Sequence, residues 1–152
     1  KVASHLDIRL VQVTYQGKNV VLEGGALEVN GKGTLITSEE CLMDPKIQVR
    51  NTGFSKSDYE AVFKKYLGIT NTIWLCEGIV GDDTHGHIDD LCRFVNEDTV
   101  VTVVEDNTTV SDVTALQILK DCFPNREIIG ISAIDFIWGF GTLHCLSQQI
   151  PI

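Results

Sequence analysis

The chain has no long apolar run. Nothing in its 152 residues approaches the roughly 20 apolar residues that a membrane-spanning helix needs. Basic residues are also scarce, with 12 Lys plus Arg against 21 Asp plus Glu and a formal charge of −9 at pH 7. That deficit argues against nucleic acid and anionic membrane as partners, because counterion release and phosphate contacts need clustered Lys and Arg. A negative field favours cationic small molecules instead. The five cysteines, Cys41, Cys76, Cys92, Cys122 and Cys145, form no CxxC pair. An odd count without regular spacing argues against both a zinc knuckle and a disulfide framework. Reduced thiols in a cytoplasmic setting are expected. Proline is rare (3) and glycine modest (13), and only 22% of residues are charged, so neither a fibrous repeat nor disorder is indicated. The opening KVASHLDIRL alternates in hydropathy and has no small-residue cleavage site, so no signal peptide is read there.

Hydrophobic residues make up 43% of the chain, enough for one domain over residues 1–152 with a real core. Period-2 patterning predicts a strand over Leu6–Val13 and another over Val20–Leu22. Asn30-Gly31 between two apolar stretches predicts a hairpin that joins Ala26–Val29 to Thr34–Thr37. Ser55 followed three residues later by Asp58 marks a helix start, with Tyr59, Val62, Phe63, Tyr66 and Leu67 on one face and Gly68 as its stop. Ile73–Leu75, Phe94-Val95, Val100–Val104 and Ile128–Ile131 read as further strands. A second helix begins near Ser111 or Asp112, turns Val113, Leu116, Leu119, Cys122 and Phe123 inward, and closes at Pro124. A Gly139-Phe140-Gly141 turn leads into Leu143–Leu146. Strands outnumber helices and each helix lies between strand pairs, which is a mixed α/β (α+β) order.

Three segments concentrate reactive groups. Glu23 precedes Gly24-Gly25, where missing side chains let a carboxylate point into a cleft; an ordinary surface Glu before a turn has the same sequence. Asp82-Asp83-Thr84-His85-Gly86-His87-Ile88-Asp89-Asp90 puts four carboxylates and two imidazoles in nine residues. If His87–Asp89 is extended, His87 and Asp89 share a face and form an acid–base pair. The same spacing also suits a metal held by His85, His87 and Asp89. The third segment places Cys145 just past a glycine-rich turn, where a thiol can be exposed and activated. His144 would point to the opposite side of a strand and is a poor base for it.

LEGG at Leu22–Gly25, GKGTLITSEECL from Gly31, GDDTHGHIDDLCRF from Gly81, FPNREIIGI from Phe123 and WGFGTLHCLSQQIP from Trp138 together resemble the agmatine deiminase and bacterial-type peptidylarginine deiminase family. The likeness runs in order along nearly the whole chain. It implies a pentein fold, a fan of ββαβ modules around a central site. It also implies hydrolysis of a guanidino group, with agmatine plus water giving N-carbamoylputrescine and ammonia. Under this resemblance Cys145 is the nucleophile, His87 the acid–base residue, and Glu23 and Asp89 the carboxylates gripping the planar cation. No metal and no cofactor are implied.

The sequence departs from the family pattern in three places. His85 stands where relatives carry an acidic residue. An amino-terminal module with an Asp in an Arg-Asp context has no match. A long segment of the relatives is replaced by Asp106–Val110. The expectation is therefore an incomplete pentein with strand edges that favour self-association. A silent family member that binds guanidino compounds or a protein partner is the alternative.

Overall fold

The computed structural model describes residues 2–97, 99–104 and 110–132. In chain order the elements are α1 (Val2–His5), β1 (Thr14–Tyr15), β2 (Lys18–Asn19), β3 (Glu28–Val29), β4 (Thr34–Ser38), α2 (Glu39–Met43), α3 (Lys56–Leu67), β5 (Asn71–Leu75), β6 (Cys92–Asn96), β7 (Thr99–Val104), α4 (Val110–Cys122) and β8 (Glu127–Ser132). Single 3-10 turns lie at Gly24–Ala26 and Ile88–Asp90.

Among the described residues, the same ββαβ unit occurs twice. In the first, β3 pairs antiparallel with β4, and β4 pairs parallel with β5. In the second, β6 pairs antiparallel with β7, and β7 pairs parallel with β8. A tight turn can close each antiparallel pair, whereas a parallel pair needs a long crossover. Helix α3 lies on the first crossover and α4 on the second. The Asn30 side chain builds the first turn by accepting from the amides of Lys32 and Thr34 at 2.9 and 3.0 Å.

Helix α3 starts as its sequence predicts. Ser55 Oγ accepts from the Asp58 amide, Asp58 accepts in return from the Ser55 amide at 2.9 Å, and Gly68 ends the helix in a left-handed conformation. Tyr59, Val62 and Phe63 are buried. Tyr59 and Phe63 pack with Ala26, Leu35, Cys41, Leu42 and Ile69 in one cluster. A second cluster unites the two units, with Ile36, Ile73 and Leu75 from one and Cys92, Phe94, Val100, Leu119 and Phe123 from the other. β4 is buried along its whole length because its alternate residues Leu35 and Ile36 feed different clusters.

The amino-terminal reading is corrected. Leu6–Val13 is not a strand, and Leu6, Ile8 and Leu10 are exposed; alternation needs a partner strand before it becomes a sheet. Val20–Leu22 is likewise irregular. On α4, Leu119 and the following Phe123 are buried, but Val113 and Cys122 are exposed. The turn at residues 139–141 and the segment 143–146 lie outside the described residues. Among those described, no helix is long and apolar enough to cross a membrane.

Candidate active site

The two 3-10 turns abut, and they build the site. Glu23 stands in extended conformation just before the first turn, and His87 directly precedes the second. His87 Nε2 lies 2.8 Å from Glu23 Oε2, and His87 Nδ1 lies 3.7 Å from Asp89 Oδ1. The closeness of His87 and Asp89 therefore comes from a turn and not from the extended run that period-2 reasoning assumed.

Gly25 makes the approach feasible. A Cβ on it would fall 2.5 Å from His87 Nδ1 and 2.6 Å from Asp89 Oδ2, whereas a Cβ on Gly24 would meet nothing within 4 Å. The second glycine of the pair is thus set by the site and the first is not.

Asp82 organises the loop leading to His87. Its carboxylate accepts from the amide of Thr84 at 2.8 Å, the hydroxyl of Thr84 at 2.6 Å and the amide of Gly86 at 2.9 Å. Burial pushes this carboxyl up, but these donors outweigh it and hold Asp82 below the usual Asp range. Ser38 Oγ donates to the Gly86 carbonyl, which ties the loop to the end of β4.

Glu23 also rests on a residue that the sequence did not single out. The Arg50 side chain is only 4% exposed, and its Nε and Nη2 lie 3.0 and 2.9 Å from Glu23 Oε2. Burial raises the Glu23 pKa, but hydrogen bonds from His87 and Arg50 and their charges lower it further, leaving Glu23 below the ordinary Glu value. No motif marks Arg50. It is one cation in an irregular stretch, and its other partners include backbone carbonyls, which carry no sequence signature.

His85 is turned elsewhere. Its Nδ1 lies 3.4 Å from Glu40 Oε1 and its Nε2 2.9 Å from Asp44 Oδ2. Each imidazole thus serves its own pair of carboxylates. Among the described residues, the group of donors close enough to share an ion is instead Glu23, Cys41 and His87, whose ligand atoms lie within 4.8 Å of one another. Burial pushes the Cys41 thiol up to about 11, which disfavours the thiolate a metal needs, and the Arg50 charge beside Glu23 opposes a second cation. A neighbouring cleft of about 540 Å³ is lined by Glu40, Asp44 and His85 but not by Glu23, His87 or Asp89. Asp90, next to Asp89, is pushed up to about 6 by burial and then by the charges of Asp89, Asp82 and Asp83. Cys145 lies outside the described residues.

The family model for Porphyromonas-type peptidyl-arginine deiminase matches residues 1–114 and 107–151. The chain belongs to that family. An agmatine deiminase of Medicago truncatula is 46% identical over 92 residues, covering 60% of this chain and 24% of the relative. A relative from Marinomonas sp. is 26% identical over 213 aligned positions, covering 87% of this chain and 57% of its own length. Among solved structures, a Cys-to-Ser variant of C. jejuni agmatine deiminase with substrate bound is 25% identical, with a TM-score of 0.55, covering 84% of this chain and 55% of that one. The repeated ββαβ unit is accordingly the pentein module. The matches to the first curated relatives span between 20% and 57% of those proteins.

Proposed function

We propose that this chain hydrolyses a guanidino group by covalent catalysis, with agmatine as substrate and N-carbamoylputrescine and ammonia as products. The observation that carries the reading is the convergence of Glu23, His87 and Asp89 across Gly25, in a family whose relatives include named agmatine deiminases.

Asp89 offers a carboxylate to the flat guanidinium, whose delocalised charge is best met by oxygens in its plane. Glu23 keeps Oε1 for the second such contact while Oε2 holds His87. The Cys145 thiolate, favoured by the bound cation, attacks the central carbon and forms a C–S bond. His87 protonates the departing nitrogen, the C–N bond breaks, and ammonia leaves a thiouronium intermediate. His87 then takes a proton from water as oxygen bonds to the same carbon. The C–S bond breaks, and loss of a further proton completes the ureido product and restores the thiolate.

The test is release of ammonia and N-carbamoylputrescine from agmatine by the purified chain, and its abolition in Cys145→Ala. Turnover that survives in the variant would end the covalent mechanism. Calorimetric binding of agmatine without turnover would favour the silent family member instead.

A further inference from the structure

Arg50 is nearly sealed from solvent, yet its donors reach three separate segments. Nε and Nη2 meet Glu23, Nη1 donates to the Cys41 carbonyl at 3.2 Å, and Nη2 donates to the Thr84 carbonyl at 2.6 Å. Gln48 Oε1 accepts a further bond from Nη2 at 3.2 Å. Glu23 is the partner of His87, and Thr84 sits in the loop whose Asp82 also holds the amide of Gly86 and lies 3.4 Å from that of His87. One guanidinium therefore fixes His87 from both directions: through its carboxylate partner, and through the loop that carries its backbone.

An ionised carboxylate only accepts hydrogen bonds, so the proton between Glu23 and His87 belongs to Nε2. In the neutral ring the basic lone pair is then on Nδ1, the nitrogen that faces Asp89. We propose that Arg50 is a positioning residue for the reaction, holding Glu23 and the 82–87 loop so that His87 keeps Nδ1 as its reacting nitrogen. The inference rests on the reading of His87 as the acid–base residue. Lysine cannot replace Arg50, because a single ammonium has no planar fork with which to reach Glu23 and the Thr84 carbonyl together.

The experiment pairs nitrogen-15 NMR of the His87 ring with steady-state kinetics, using the full chain and the variants Arg50→Met and Arg50→Lys. The wild type should show one neutral tautomer, protonated at Nε2. Both variants should show a mixture, with kcat lowered by about a hundredfold, as expected for a misplaced catalytic group, and KM raised as well, because the Glu23 that Arg50 holds also grips the substrate. Arg50→Met strands buried acceptors and can fail to fold. Arg50→Lys keeps the charge and supplies the decisive case. A folded Arg50→Lys protein with the wild-type tautomer and a kcat within about twofold of wild type would overturn the proposal. A wild-type chain that releases no ammonia would sink the proposed activity, while the tautomer measurement would still decide the role of Arg50.

Discussion

At the scale of single residues, the site depends on the lack of one atom. Gly25 lets two turns meet because no Cβ intrudes on His87 Nδ1 and Asp89 Oδ2, and Gly24 beside it faces open space. Neither glycine has a positive φ, so the contrast is one of space and not of backbone strain. Gly25→Ala should lower kcat/KM by about a hundredfold, the penalty of shifting a reacting group by roughly 1 Å, with circular dichroism unchanged. Gly24→Ala should leave turnover within about twofold of wild type, as expected for a substitution away from such a contact. Equal losses in the two variants, measured on agmatine, would show that the GG pair serves the turn and not the approach. Glu23, His87 and Asp89 stand in the short motifs that carry the family resemblance, and the structure brings the three side chains together. Arg50 was not legible in the sequence, because what makes it matter is the convergence of distant loops.

At the scale of elements, legibility followed local chemistry. The Asn30 turn and the Ser55–Asp58 capping box were readable because their hydrogen bonds close within four residues. The Leu6–Val13 strand failed because a strand is completed by a partner that its own alternation cannot supply. Ser55→Ala should lower stability by about 1 kcal/mol, measured by urea unfolding, through loss of the cap on α3. The turn at Ile88–Asp90 gives a pH prediction. Asp90 is raised from 3.8 to about 6, so between those values the folded chain holds a proton that the unfolded chain has released. Stability from this group is present in full below about pH 3.8 and is lost as the pH rises through about 6. Asp90→Asn removes that dependence. Its melting temperature relative to wild type should therefore be higher above pH 6 than near pH 3.8, and a constant difference across that range would refute the assignment.

At the scale of the whole molecule, the two ββαβ units are joined by a polar link as well as by apolar packing. Glu28 on β3 is 3% exposed. It accepts from the Phe94 amide at 2.9 Å and from Arg93 Nη1 at 3.3 Å, both on β6. Burial raises the Glu28 carboxyl above the ordinary Glu value despite both donors, so the link is made against a desolvation penalty. Such a pair adds little over a well-packed apolar substitute, but breaking it from one side strands a buried charge. Glu28→Met should therefore lose about 3–5 kcal/mol by leaving Arg93 unpaired. Adding Arg93→Met should recover most of that loss. The recovery should be incomplete, because the Phe94 amide still lacks its acceptor, a deficit of about 1–3 kcal/mol. Urea unfolding of the two single variants and the double variant measures the coupling directly. Strictly additive losses would mean that the charge pair does not join the units and that the shared apolar cluster holds them alone.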